Sequence, residues 1–264
     1  MTDDRGVWVY AVTGADLAED SVHDVTGVAR EPVRTVTAAG LTAVVGTVPL
    51  GEFGEEALRT NLENLDWLEA VARTHDAVVS AVVRRAAAIP LRLATVYRDD
   101  DRVREVLEAR RADFEVALTL VAGRTEWGVK AYADLDALAT GAVEAATASS
   151  AGGTGAGAAY LKRRRAQLSA RDDAEHAAAE RAEALHTVLL QHSAAGRRQA
   201  ATDPTLSGRR DRMVLNGTYL VDNDHRDEFT DAVAAARTQF DGLQLELTGP
   251  WPPYSFAGVD RGNP

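Results

Sequence analysis

The hydrophobic pattern of the chain alternates between two periods. Near the start, Gly6 to Val12 (GVWVYAV) is apolar at almost every position and rich in β-branched and aromatic residues, which predicts a strand. Two further strands are expected at Pro32 to Thr37 and Leu41 to Val48, joined at Gly40 and closed by Pro49 and Gly51. The period then changes to 3.6. Leu65, Leu68, Val71 (or Ala72), His75, Val78, Val79 and Val82 form one stripe of a helix within Leu62 to Ala88, stopped by Ile89-Pro90. Leu91 to Tyr97 (LRLATVY) reads as a strand, and Asp99 to Asp101 as the cap of a helix. Val103, Val106, Leu107, Phe114, Leu118 and Val121 form the buried face of that helix, which ends at Gly123. Glu126 to Tyr132 returns as a strand.

The same order recurs near the C-terminus. Met213 to Val221 is a strand, Asp222 to Asp224 a cap, and Phe229, Val233, Ala236 and Phe240 a helical stripe. Gly242 is a stop and Leu243 to Leu247 a strand. Units of this kind, combined with a hairpin, suggest split-βαβ sheets with helices on one face. Between them Thr147 to Gly157 has the composition of a flexible linker. Tyr160 to about Gln191 then predicts one long helix. Leu161, Leu168, Glu175, Ala182 and Leu189 recur every seven residues, with Ala178 and Leu185 beside them, an alanine-rich seam that needs a partner helix close by. Gly196 to Gly208 reads as a loose loop.

Composition narrows the function classes. The 264 residues suit one large or two modest domains, with 45% hydrophobic residues. The N-terminus lacks the pattern of a signal peptide, no apolar run is long enough for a membrane helix, and there is no cysteine. A cytoplasmic protein is expected. The net charge of −11 argues against general nucleic-acid binding. Its distribution is uneven, −9 over residues 1–140, +3 over 141–210 and −5 over 211–264.

Candidate chemistry is sparse. Gly153, Gly155 and Ala158 satisfy G-x-G-x-x-A without the preceding strand that a dinucleotide fold requires, so the linker reading is preferred. The histidines at 23, 75, 176, 186, 192 and 225 form no HExxH, and His75 on an apolar stripe reads as a hydrogen-bonded packing residue. The two aspartate runs precede helices, where capping accounts for them better than Mg²⁺. Ser80, Ser169 and Ser193 fall within helical stretches, away from any nucleophile elbow. No catalytic, cofactor-binding or metal residue is therefore nominated. Lys162, Arg163, Arg164 and Arg165 are either a solvated helix face or a dock for an acidic partner. Gly249 to Phe256 (GPWPPYSF) is a stiff arm whose Trp251, Tyr254 and Phe256 either pack on the chain's own C-terminal sheet or meet a partner, and the two readings are compatible. Packing is favoured, with the arm sealing the C-terminal lobe.

Several segments together resemble the GvpL/GvpF family of gas vesicle proteins over nearly the whole length. They are VWVYAV near the start, Trp67 to Val79 (WLEAVARTHDAVV), Pro90 to Leu107 (PLRLATVYRDDDRVREVL), Glu126 to Tyr132, Ala159 to Arg165 (AYLKRRR), Asn216 to Asp222 (NGTYLVD) and Leu245 to Phe256 (LELTGPWPPYSF). The resemblance implies an α+β fold, with a ferredoxin-like N-terminal domain and a C-terminal α+β domain carrying a long coiled-coil-like helix. The expected boundaries are 1–140, a linker at 141–158, and 159–264. It implies a non-enzymatic accessory or minor structural protein that binds the shell protein GvpA and other accessory Gvp proteins during assembly. Self-association through the alanine seam is open. The alternative from another class is a small-molecule-binding regulatory module, which predicts a concave pocket with convergent polar groups.

Overall fold

A computed structural model describes residues 4–17, 22, 24–140, 156–200 and 211–258, with side chains from 169 onward in the long helix. The chain forms two compact units, one comprising residues up to Glu126 together with those from Pro250 on, the other Trp127–Gly249.

The first unit is built on β1 (Arg5–Gly14), β2 (Arg34–Ala38), β3 (Leu41–Pro49), β4 (Ala88–Pro90) and β5 (Val96–Tyr97). The order is β2-β3-β1-β4, with β5 also paired to β1 and every pairing antiparallel. Ala39 (φ 53°) and Gly40 (φ 78°) make the two-residue β2–β3 turn in left-handed geometry, the twist that suits a tight hairpin.

Helices cover both faces of this sheet rather than the expected one. The reason lies in β1, whose continuous apolar run leaves neither face fit for water. Val7, Val9 and Val12 join Val36, Val45 and Ile89 under α4 (Asp100–Ala109) and α5 (Arg111–Val121). Trp8, Tyr10 and Ala11 face the other way, onto Phe53 of the short α1 (Leu50–Phe53), Leu58 of α2 (Glu55–Asn61), and Val71, Val78 and Val82 of α3 (Leu65–Val83). The β1–β3 register slips between Val9 and Ala11, so Tyr10 is a bulge residue and adjacent Tyr10 and Ala11 share one core.

Three expectations need correction here. Leu91 to Tyr97 is not one strand, since Pro90 ends β4 and Ala94 turns the chain at φ 65° before β5. The predicted single helix after Asp99 breaks at Arg110 (φ −112°, ψ 19°) into α4 and α5. Leu65 does not belong to the buried stripe of α3: it is 77% exposed at the first helical turn, while Asn64 caps the helix through the amides of Asp66 and Trp67. Asp99 caps as expected, accepting from the Arg102 amide at 2.8 Å.

The second unit orders its sheet β7-β8-β6-β9, from β6 (Arg124–Ala133), β7 (Ala195–Arg198), β8 (Arg212–Asp222) and β9 (Leu243–Trp251). The helix α6 (Ala156–Gln191) and α7 (Arg226–Gln239) pack on it. Along α6 the buried positions are Ala170, Ala174, Ala178, Ala182, Leu185 and Leu189. Small side chains here let the helix lie close to Trp127, Val129, Tyr219 and Phe229, so from Ala178 onward the alanine stripe is satisfied by a sheet and α7. Glu175 of the expected heptad points away and pairs with Arg212 at 2.8 Å. The segment after Gly196, expected to be loose, contributes β7, whose Gly196 leaves room for the Tyr219 ring. Asp222 to Asp224 does not cap by side chain: Asn223–His225 forms a 3-10 turn and α7 begins at Arg226 with Asp227 and Glu228 in its first turn. The expected linker lies, up to residue 155, outside the described residues.

Candidate interaction surface

The C-terminal arm runs out of β9 into Pro252 and Pro253, both buried, and a 3-10 turn over Tyr254–Phe256. Proline fixes φ and donates no amide bond, so this stretch cannot continue the sheet ladder. It docks in the first unit, which corrects the expectation that it seals the C-terminal lobe. Local stiffness was legible in the sequence, but the surface receiving it depends on three residues from distant segments. Glu126, 7% exposed, accepts from the Ser255 amide (2.7 Å) and hydroxyl (2.6 Å) with its two carboxylate oxygens. The Tyr254 hydroxyl donates to Asp76 at 3.4 Å, and its ring lies 6.5 Å from that of His75. Desolvation, reinforced by the Asp76 carboxylate, raises the Tyr254 hydroxyl above its usual range. Phe256 is 1% exposed.

His75, beneath the arm, is held from both sides. Trp8 Nε1 donates to its Nδ1 (3.0 Å), which leaves Nε2–H to donate to the Leu91 carbonyl (3.1 Å). Both ring nitrogens are thus used by a neutral imidazole, and burial pushes its pKa down from 6.5 to about 4, against the opposing effect of the Leu91 carbonyl. Between pH 6.5 and 4 the unfolded chain takes up a proton at this position that the native fold refuses. Stability therefore falls as pH drops through that window and levels off below it. At about 1.4 kcal/mol per pH unit the loss is about 2 kcal/mol between pH 6.5 and 5. Urea unfolding across this range in wild type and His75→Gln checks it, since the slope from this residue disappears in the variant. An equal slope in both would refute the assignment.

Beside His75, Tyr10 donates to Glu31 Oε1 (2.6 Å) and accepts from the Val28 amide (2.9 Å) while Glu31 Oε2 accepts from the Ala29 amide (2.7 Å). This network fastens the loop before β2 to the bulge in β1. In the second unit, His186 Nδ1 shares a 2.8 Å hydrogen bond with the Tyr219 hydroxyl, and burial lowers the His186 pKa. These buried polar groups are matched to one another and to backbone, which describes packing more than reactivity. Among the described residues, no three His, Asp or Glu side chains converge as a metal cluster.

The nominated residues therefore separate. Trp251 is 50% exposed, Tyr254 is half-buried and Phe256 is buried, so the arm presents one large aromatic and is anchored by the others. Lys162, Arg163, Arg164 and Arg165 lie on the backbone of α6, with side chains outside the described residues. Sequence reading missed several apolar residues that the structure exposes, Leu65 and Val116 (72%) most of all. Only position betrays them: Leu65 stands at a helix start and Val116 sits between the buried Phe114 and Ala117. Among the described residues, no helix is long and apolar enough to cross a membrane.

By fold this is a mixed α/β protein with antiparallel sheets. The family described as gas vesicle synthesis protein GvpL/GvpF matches residues 6–258. Gas vesicle protein L of Streptomyces sp. (strain CB03234) is 42% identical over 262 residues, covering 98% of this chain and 95% of the relative. Gas vesicle protein F of the same strain is 27% identical over 230 residues, covering 86% and 88%. The crystal structure of gas vesicle protein GvpF from Anabaena sp. PCC7120 shares the fold, with a TM-score of 0.68 at 16% identity over 98% of both chains. The chain belongs to the GvpL/GvpF family of gas vesicle proteins.

Proposed function

We propose that this protein binds the small hydrophobic shell protein GvpA and other Gvp proteins while the gas vesicle wall is being assembled, in the cytoplasm and at the vesicle. The observation that carries this reading is the 42% identity to a gas vesicle protein L across nearly all of both chains. Large apolar side chains left in water are consistent with it, since Trp251, Leu65 and Val116 have no structural need to be exposed. Trp251 is the strongest anchor candidate, because it is a rigid aromatic on a segment already ordered before contact. Tyr254 and Phe256 serve the same surface by holding the arm, and Lys162 to Arg165 are kept as a proposed dock for an acidic surface.

The antiparallel order β2-β3-β1-β4, all within the unit that runs to Glu126, supports describing the N-terminal domain as ferredoxin-like. The helical layer on its second face departs from the one-sided form. A C-terminal α+β domain carrying a long coiled-coil-like helix completes the proposal.

Co-purification with GvpA from cells expressing the gene cluster tests the function: no association, with normal vesicles in a deletion strain, would sink it. Trp251→Ala is expected to leave unfolding free energy within about 0.5 kcal/mol, as for a surface change. Capture of GvpA should fall about tenfold or more, the effect of losing an aromatic hot spot. Undiminished capture by a folded Trp251→Ala protein would exclude the arm as the anchor.

A further inference from the structure

The corner where α2 gives way to α3 holds leucine side chains in water. Leu65 is the most exposed large apolar residue among those described, and Leu62, three positions earlier, is exposed as well. Leu68 follows half-buried, and its i,i+3 spacing from Leu65 places the two side by side on one face of α3. We propose that this corner is a docking surface for a basic amphipathic protein helix, one that sets leucine-like side chains beside lysine or arginine. The proposal does not use Trp251, and it stands whether or not the partner is GvpA.

The exposed leucines have no task within the chain. Leu65 is the first residue of α3, where proline or an acidic side chain suits the free amides and leucine adds nothing. Nor does the exposure come from loose backbone. Asn64 Oδ1 accepts from the amides of Asp66 (3.1 Å) and Trp67 (3.2 Å), and Asn61 Nδ2 donates to the Glu52 carbonyl (3.0 Å). Trp67 Nε1 donates to Glu52 Oε1 (3.0 Å), and the Trp67 ring lies 5.6 Å from that of the buried Phe53. The Leu62 amide donates to the Leu58 carbonyl at 2.9 Å. These bonds tie α1, α2 and the first turn of α3 into one frame rooted in the core. Leu62 and Leu65 are therefore presented from ordered backbone, and a partner has little left to order on contact.

Charge selects the partner. Residues 52–69 hold Glu52, Glu55, Glu56, Glu63, Asp66 and Glu69 against Arg59, a net −5. Arg59 pairs with Glu55, and Arg73 with Glu69, as i,i+4 contacts whose side chains are all well exposed, so both pairings are weak. Glu56, Glu63 and Asp66 form no ion pair among the described residues. Glu55, Glu56 and Asp66 stand in first helical turns, where the dipole favours them. Glu63 lies between the helices and Glu69 in the second turn of α3, so helix formation does not account for the whole set. An apolar ridge in a field of this sign attracts a cationic amphipathic segment and repels nucleic acid, anionic lipid and acidic peptides. Leucines at helical spacing match the apolar stripe of a helix better than the alternating side chains of a strand.

The test is a titration of the ¹⁵N-labelled full chain with a Leu/Lys amphipathic helical peptide, against a Leu/Glu peptide of the same pattern. Leu/Lys should give saturable amide shifts centred on residues 55–69 and bind at least about tenfold more tightly than Leu/Glu. Leu65→Ser, at an exposed site, should weaken Leu/Lys about tenfold, the loss of an interface anchor. Glu56→Lys with Glu63→Lys should weaken it about tenfold as well. Glu228→Lys with Asp231→Lys, the same change of charge at exposed positions of α7, should leave it within about threefold, as for independent sites. Shifts spread over other acidic surfaces, equal binding of the two peptides, or undiminished affinity in Leu65→Ser would each overturn the proposal. So would self-association of the chain alone that Leu65→Ser abolishes, because the occupant would then be a second copy. GvpA capture is measured separately, so failure here leaves the assembly reading untouched.

Discussion

Trp8→Ala should cost about 3–5 kcal/mol of stability, the range for removing a fully buried large aromatic. Trp8 has no exposed surface, meets Phe53 edge-on at 5.6 Å and 86°, and gives its only side-chain donor to His75. The substitution thus opens a cavity and leaves His75 Nδ1 without its donor. Those two effects have different signatures. A Trp8→Phe variant restores most of the volume but not the hydrogen bond, and should lose about 1–3 kcal/mol, the cost of an orphaned buried polar group. In Trp8→Ala, water reaching the imidazole brings its pKa back toward 6.5, so the pH dependence between 6.5 and 5 flattens as well. Urea unfolding, with hydrogen exchange on the β1 amides, reads both. A loss below about 1 kcal/mol in Trp8→Ala would mean that this core repacks and that the sheet face is not organised around the indole.

The second large effect is expected from Phe256→Ala, also about 3–5 kcal/mol. Phe256 is the buried end of an arm whose other fixings are polar: Ser255 to Glu126, and Tyr254 to Asp76. Without the ring the arm loses its buried apolar anchor, and the polar contacts to Glu126 and Asp76 are left to hold it. Protease cleavage after Tyr254 should become fast in Phe256→Ala and stay slow in Trp251→Ala. If both variants behave alike, the anchoring and presenting roles do not divide as the burial of the two residues indicates.

Much of this architecture can be read along the chain. The run GVWVYAV announces a strand buried on both faces, although the one-sided helical layer expected from motif order did not follow that cue to its end. His75 on an apolar stripe was legible as a packing histidine, and Asp99 as a cap. The 3.6-residue stripes of α3 and α7 appear nearly where their periods place them. LRLATVY was not legible, because its β-forming residues suit a strand, while the actual path is set by Pro90, the Tyr10 bulge and partners on β1. Neither was the seam of α6, where several helix faces rich in alanine look alike until a sheet selects one.

The arm shows the division most plainly. Its prolines and aromatics determine, by themselves, that GPWPPYSF is stiff, cannot extend a ladder and carries large apolar surface. They also mark the family, through segments preserved in order. Only the tertiary structure decided that Phe256 is buried, that Trp251 faces water, and that the receiving partners are Glu126 and Asp76. Those partners lie 129 and 178 residues away in sequence. Local chemistry sets which conformations a segment can adopt, whereas the choice among surfaces depends on which distant groups fold to meet it.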